Sequence, residues 1–321
     1  MKKIIVMCAA LIMGVSTVIA GNKLSLKDIT SGKFAPKGLG SITALDDGDT
    51  YAQVSKDGKK IVRYSFRTGK QTDVLFDVDN TVGEKISSFE DYIMSPDGSK
   101  LLIQTKSRKI YRRSFTAVYY IYNIGSRKLE KLSDYGPQQS PVWSPDGKQV
   151  AFVRDNNIHL VKLLYGNAES QVTKDGKKNE LINGIPDWVN EEEFGFSTAL
   201  TFNADGTMIC WIKYDEAAVQ QYSLEMFKGS NPEKKEYAEY PGAYTYKYPK
   251  AGQVNSKVAV YSYDIQSHQT RKLQVPLDAD GYIPRLYATK DAQKMIVYTF
   301  NRHQNQLCLS LIHISEPTRP Y

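Results

Sequence analysis

The chain has 321 residues, of which 42 are Lys or Arg and 35 are Asp or Glu, so its formal net charge is +7. This length suffices for one large all-β domain or for two ordinary domains. A basic chain can bind nucleic acid, and residues 106–113 form a basic run. The N-terminal segment predicts export, however, so we expect no nucleic-acid partner.

The first twenty residues predict a secretory signal peptide. Lys2 and Lys3 supply its positive end, residues 4–19 are apolar, and the small residue Ala20 precedes Gly21. The apolar run is short and poorly flanked for a membrane span, although an N-terminal anchor helix is the alternative. No later apolar segment approaches ~18 residues, so we expect no membrane span once residues 1–20 are removed.

The mature chain keeps two cysteines, Cys210 and Cys308. Export would permit a disulfide between them, but both lie in apolar, strand-like stretches far apart in the sequence. We therefore expect two buried thiols. Neither the cysteines nor the four histidines show a spacing typical of a metal site. The sequence predicts neither a metal nor another cofactor.

A recurring turn is the strongest regularity of the chain. Ser-Pro-Asp-Gly occurs at residues 95–98 and 144–147, Asn-Ala-Asp-Gly at 203–206, and a weaker Lys-Asp-Gly copy at 56–58. Pro, Asp and Gly suit successive positions of a type I turn, and alternating apolar residues follow each copy. Each copy therefore predicts a hairpin between antiparallel strands. The full copies begin 49 and 59 residues apart, close to the ~40–50 residues of a β-propeller blade.

Three segments interrupt this strand pattern. Residues 187–194 read Asp-Trp-Val-Asn-Glu-Glu-Glu-Phe, and Asp187 is a good N-cap for a short helix with acids in its first turn. Three consecutive carboxylates suggest a cation site, although such a run taken alone is typical of a solvated helix start. Residues 230–248 form a long excursion, which usually serves an interface or a site. Residues 310–321 lose the strand pattern, and we expect a non-native tail there.

Four stretches together resemble the N-terminal propeller of bacterial dipeptidyl peptidase IV, a serine exopeptidase of the prolyl oligopeptidase family. They are residues 112–117, 143–147, 187–194 and 248–255. The resemblance implies an all-β fold, a partial β-propeller of about four to five of eight four-stranded blades over residues 21–309. It also implies that the C-terminal α/β-hydrolase domain, which carries the catalytic Ser-Asp-His triad of the family, is absent from this chain.

The resemblance assigns three substrate-binding residues and no catalytic residue. Glu192 and Glu193 match the glutamates that hold the α-amino group of the substrate, and Arg112 matches the arginine that binds its first carbonyl oxygen. A free ammonium needs opposite charge and hydrogen-bond acceptors, and the fork of an arginine suits a fixed oxygen acceptor. Asn190 and Arg113 depart from the family, which often has an aromatic residue and a histidine there.

The resemblance implies a periplasmic or extracellular protein of a Gram-negative bacterium that recognises peptide N-termini. The complete enzyme would release Xaa-Pro or Xaa-Ala dipeptides and would form a homodimer through residues 222–248, which resemble a dimerisation arm. One alternative is a non-enzymatic periplasmic propeller that binds a protein partner. Another is a related exopeptidase that releases tripeptides or acylated residues.

Overall fold

A computed structural model describes residues 24–36, 38, 40–230 and 233–314. The predicted signal peptide (residues 1–20) and the end of the predicted tail (residues 315–321) lie outside this range. Of the described residues, those up to Ile42 and those from Thr43 onward form separate compact units, and the first unit contains helix α1 (Leu26–Thr30), capped by Ser25. Within the described ranges, no helix is both long enough and apolar enough to cross a membrane.

The second unit is built from successive antiparallel sheets. The first three sheets follow one another along the chain, and the short strand β5 pairs in parallel with β9 at the edge of the second sheet. Their strands are β1 (Ile42–Ala44), β2 (Thr50–Val54), β3 (Lys60–Ser65) and β4 (Gln71–Asp77); β5 (Val82–Gly83), β6 (Asp91–Met94), β7 (Lys100–Lys109), β8 (Phe115–Asn123) and β9 (Lys128–Lys131); β10 (Gln139–Trp143), β11 (Gln149–Arg154), β12 (Asn157–Lys162) and β13 (Ala168–Gln171).

The fourth sheet carries two insertions, and the fifth has three strands. Strands β14 and β15 both pair with β16, and helix α2 lies between them in the sequence. A separate hairpin of β17 and β18 is inserted between β16 and β19. The elements are β14 (Leu181–Asn183), α2 (Trp188–Phe194), β15 (Leu200–Phe202), β16 (Met208–Asp215), β17 (Gln221–Met226), β18 (Gly242–Lys247), β19 (Lys257–Asp264), β20 (Thr270–Lys272), β21 (Tyr282–Ala288), β22 (Lys294–Phe300) and β23 (Leu307–His313).

Strand alternation buries both faces of the inner sheets. In β7, Leu101 and Ile103 pack with the first sheet, whereas Leu102 packs with the third. In β11, Val150 packs with the second sheet and Ala151 with the fourth. Successive side chains of a strand point to opposite faces, so each inner sheet contributes to two cores. The predicted all-β class and partial propeller of four to five blades are confirmed.

The recurring turns form the predicted hairpins, and their first residue has a role that the sequence did not reveal. Ser95 and Ser144 accept hydrogen bonds on Oγ from the backbone N–H groups of Lys100 and Gln149, both at 2.9 Å. Asn203 does the same with Oδ1 at 2.9 Å from the Met208 N–H. The side chain thus pins the start of the second strand to the start of the turn.

The prediction of two buried thiols holds for one of the two cysteines. Cys210 is buried, and burial raises the pKa of its thiol to about 12. The expectation that Cys308 is buried is wrong, because its side chain on β23 is exposed.

Strand β23 continues past residue 309 to His313, and Ile312 and Ile314 are buried. Part of the predicted tail is therefore packed, and its non-native origin stays a prediction.

Replacing Ser144 with alanine should lower the free energy of unfolding by about 1–2 kcal/mol, because the half-buried N–H of Gln149 would lose its acceptor. Urea unfolding measures this difference. Ser87→Ala removes an exposed hydroxyl that makes no hydrogen bond with another described residue and serves as the control, with an expected change below ~0.5 kcal/mol. Equal effects of the two substitutions would contradict the proposed role of the turn residue.

Candidate functional site

Arg112 lies on a tight connection between β7 and β8, residues 110–114, called here the Arg112 turn. The Ile110 N–H donates to the Ser114 carbonyl at 3.0 Å, and the Tyr111 N–H donates to Ser114 Oγ at 3.3 Å. Ser114 is buried, whereas the side chain of Arg112 is 71% exposed. The turn therefore presents a guanidinium at the surface from a closed backbone loop.

Helix α2 carries the three glutamates and begins at the predicted cap. Asp187 Oδ1 accepts from the Asn190 N–H at 2.9 Å, and Ser256 donates to the other oxygen of Asp187. Burial raises the pKa of the Asp187 carboxyl above its usual range. The helix ends at Gly195, whose φ of 70° lies in the left-handed region that favours glycine.

The departure at Asn190 has a structural explanation. Its side chain is buried, and its amide donates to Asp187 Oδ1 at 2.8 Å. Asn190 therefore supplements the cap of α2 in place of the aromatic residue that is common in the family.

The structure brings Arg112 and Glu192 together although they lie 80 residues apart. Arg112 Nε donates to Glu192 Oε2 at 2.9 Å, and Arg112 Nη2 lies 2.8 Å from Glu192 Oε1. Two parallel contacts of this kind fix the relative orientation of the guanidinium and the carboxylate. They occupy two of the five N–H donors of Arg112, so other donors stay available for an oxygen of a ligand.

The other two glutamates point elsewhere, as a rotation of 100° per helical residue requires. Glu191 is buried, and its Oε1 accepts from the N–H groups of Arg113 at 2.7 Å and Ser114 at 2.8 Å. Glu193 is exposed, and its side chain makes no hydrogen bond or ion pair with another described residue. Glu193 is thus the uncompensated carboxylate of the three.

Glu193 borders an open recess of about 770 Å³ between α2, the β17–β18 hairpin and the fifth sheet. Trp188 contributes to this recess and stacks near Tyr248, with ring centroids 4.2 Å apart. It also contacts Tyr246 at 5.8 Å. Through these contacts, Trp188 packs the helical insert against Tyr246 and Tyr248.

Sequence reasoning missed Glu216, which directly follows β16. Its side chain is buried and borders a cavity of about 550 Å³ that Tyr111 and Tyr244 also line. Burial, together with the negative charge of Asp187, raises the pKa of Glu216 to about 7, and Lys247 partly offsets this rise. The signal available in the sequence was an acid placed immediately after a largely apolar strand, which contains Lys213 and Asp215 as its charged residues.

Glu216 should make the protein less stable as pH rises. Its folded pKa of about 7 exceeds the ordinary value of 4.5, so its contribution is fully favourable below pH ~4.5 and is lost as pH rises through 7. Relative to Glu216→Gln, the wild type should lose up to about 3 kcal/mol of unfolding free energy between pH 4.5 and 8. Urea unfolding across this range, with Glu225→Gln at an exposed position as control, measures the difference. Parallel pH profiles of wild type and Glu216→Gln would contradict it.

Comparison with known proteins places this chain in a family. Residues 95–319 match the family described as the dipeptidyl peptidase IV (DPP IV) N-terminal region. The chain is 32% identical over 312 residues to a probable dipeptidyl-aminopeptidase B of Emericella nidulans, covering 91% of this chain and 34% of that protein. It is 34% identical over 236 residues to the protein of the same name from Aspergillus oryzae, covering 70% of this chain and 26% of that one.

A solved structure agrees with the sequence matches. The crystal structure of Porphyromonas gingivalis dipeptidyl peptidase 4 superposes with a TM-score of 0.84 at 38% identity, over 90% of this chain and 40% of that one. The chain thus spans about a third of the length of the relatives that it matches. It belongs to the dipeptidyl peptidase IV family, of which it represents the N-terminal region.

Proposed function

We propose that this chain is the substrate-recognition region of a serine dipeptidyl peptidase that releases Xaa-Pro or Xaa-Ala dipeptides from peptide N-termini. The observation that carries the proposal is the two-point contact between Arg112 and Glu192, with the free carboxylate of Glu193 one residue further along α2. The catalytic Ser-Asp-His triad would belong to an α/β-hydrolase domain outside the present sequence.

The charge balance of the site suits a free amino terminus. Arg112 compensates one of the two accessible carboxylates, which leaves one net negative charge for an ammonium of pKa ~8. Glu193 can supply this charge directly, and Glu192 keeps unused lone pairs as acceptors, because a carboxylate offers about four. Arg112 keeps donors that can bind the first carbonyl oxygen of the peptide.

The same residues would limit the length of the released product. A peptide whose amino group is held between α2 and the Arg112 turn cannot extend further in that direction without losing the ion pair. An acylated terminus lacks the positive charge and would leave Glu193 unpaired, which is costly where water is excluded. This argument favours dipeptides with a free amine over acylated substrates.

We also propose that the protein is exported, with residues 1–20 as its signal peptide, to the periplasm or exterior of a Gram-negative bacterium. The support is the charged and apolar pattern of these residues. The peptide N-termini proposed as its substrates fit a degradative role outside the cytoplasm.

The ammonium site predicts selective binding of peptides with a free amine. An Xaa-Pro amide should bind more tightly than its N-acetylated form, and Glu193→Gln or Glu192→Gln should each weaken binding by about 10–100-fold, because a charge-assisted contact is lost. Affinity should fall as pH rises through ~8, where the amine loses its proton. Isothermal titration calorimetry measures these affinities.

Glu225→Gln, an exposed glutamate on β17, is the matched control and should leave affinity unchanged. Equal binding of free and acetylated peptides would refute the ammonium site. The 321-residue chain should not hydrolyse an Xaa-Pro chromogenic amide, and authentic turnover by it would refute the proposed division between recognition and catalysis. Activity is expected only when the catalytic domain is present.

The arm of residues 222–248 should mediate homodimerisation of the intact enzyme. It forms a hairpin that exposes several large apolar side chains, and Tyr240 is 79% exposed. Tyr240→Ser should shift the dimer toward monomer in light scattering, because it removes apolar contact area. Tyr165, 74% exposed on the third sheet's connection, provides the control Tyr165→Ser. A monomeric wild-type enzyme would rule out this role for the arm.

A further inference from the structure

Glu191 makes a contact that differs in kind from those of its two neighbours. Its carboxylate is 1% exposed, and Oε1 accepts two successive backbone N–H groups, those of Arg113 at 2.7 Å and Ser114 at 2.8 Å. These donors immediately follow Arg112 in the chain. A buried carboxylate of α2 therefore holds the backbone of the Arg112 turn.

We propose that Glu191 is a positioning residue that sets the location of the Arg112 guanidinium in the substrate site. The proposal rests on the function proposed above for Arg112 and Glu192. Glu191 would not touch the substrate. It would act through Arg112, by fixing the two peptide groups that lie directly after that residue.

The Arg112 turn needs an external anchor to fix its position. Its internal hydrogen bonds from Ile110 and Tyr111 to Ser114 determine the shape of the turn, but they do not set its distance from α2. The ion pair between Arg112 and Glu192 orients the two side-chain groups relative to each other, but both are at the ends of flexible side chains, one of them largely exposed, so the pair does not fix the backbone of the turn. Glu191 instead connects a buried side chain to the backbone itself.

Further contacts lie along the same boundary. A Cβ placed on Gly195 would meet Nη2 of Arg113 at 3.2 Å, so the Arg113 side chain lies against the end of α2. On the other side, Tyr111 packs against Tyr246 at 5.8 Å, and Tyr246 contacts Trp188 at the start of the helix. The Arg112 turn thus packs along α2, and the Glu191 contact lies between the contacts at the two ends of the helix.

The three consecutive glutamates then have separate roles. Glu191 fixes the backbone of the turn, Glu192 orients the guanidinium, and Glu193 supplies the free charge. Because a displacement of ~1 Å in a positioning group can cost about 100-fold in activity, loss of the Glu191 contact should affect substrate binding although Glu191 lies beneath the surface.

Amide hydrogen exchange tests the contact independently of function. Glu191→Ala should raise the exchange rates of the Arg113 and Ser114 amides by at least ~10-fold, whereas Glu191→Gln, whose amide oxygen can still accept both hydrogen bonds, should stay within ~3-fold of wild type. Glu191→Asp keeps the charge but shortens the reach, and should behave like alanine. Unchanged exchange at both amides in the alanine and aspartate variants would overturn the proposal.

Glu90, which immediately precedes β6, provides a matched control because its carboxylate also binds the backbone of β7. Both of its oxygens accept from the Ser107 N–H, at 3.1 and 3.0 Å, but it is exposed and lies before the Arg112 turn. Glu90→Ala should leave the Arg113 and Ser114 amides and peptide affinity unchanged. If Glu90→Ala raised the exchange rates of these amides as much as Glu191→Ala does, any loosening of β7 would be enough to free them, and the specific role of Glu191 would be refuted.

A double-mutant cycle tests whether Glu191 acts through Arg112. Affinity for an Xaa-Pro amide should fall about 10–100-fold in Glu191→Ala and recover in Glu191→Gln. In an Arg112→Ala background, the same Glu191→Ala change should cost less than ~2-fold, because its target is already gone. A full, additive loss in that background would refute a positioning role.

The two tests separate failure of this inference from failure of the proposed function. If the wild type does not distinguish a free from an acetylated peptide, the ammonium site is refuted, and the exchange rates still decide whether Glu191 holds the turn. If Glu191→Ala does not fold, the aspartate and glutamine variants carry the comparison. Equal affinities of these two variants for the peptide would then refute the inference.

Discussion

The structure depends on apolar packing between sheets that are buried on both faces. Leu101 and Leu102 are neighbours in β7, yet they belong to different cores. A shift of one residue would exchange the two faces, and because both faces are apolar, polarity alone would not oppose such a shift. The register must therefore be fixed elsewhere. Ser95, Ser144 and Asn203 do this, since each binds the first N–H of the following strand at 2.9 Å.

Because the packed sheets form a fixed framework, the residues of the candidate site can lie on segments that connect the strands. Helix α2 occupies the gap between β14 and β15, which share β16 as a partner, and the Arg112 turn joins the two long central strands of the second sheet. Neither segment has to satisfy the alternation of a blade, so each can carry charge without disturbing a core. Function concentrated on connections held by a rigid scaffold is a general pattern, and here the two connections contact each other directly through Arg112, Glu191 and Glu192.

The sequence was informative where the signal is local. The turn residues, the cap at Asp187 and the acidic run could be read from neighbouring residues, and the resemblance brought Arg112 into the same site. The contact of Glu191 joins it to residues 77 and 78 positions away, which no local pattern reveals. The prediction that Cys308 is buried was wrong for a related reason. Apolar neighbours predict burial only if another element covers the strand, and Leu307, Leu309 and Leu311 of β23 are exposed as well.

Charge compensation explains why three acids can stand in a row on a short helix. Isolated carboxylates repel one another and are costly to bury. Two backbone N–H groups bind Oε1 of Glu191, and the guanidinium of Arg112 pairs with Glu192, so Glu193 is the one of these three side chains that is exposed and makes no polar contact with another described residue. A single uncompensated charge beside an oriented arginine is a more selective receptor than three free acids would be. In the function proposed above, the charge of Glu193 would attract the ammonium group of the peptide, and Arg112 would bind the carbonyl oxygen of the same ligand.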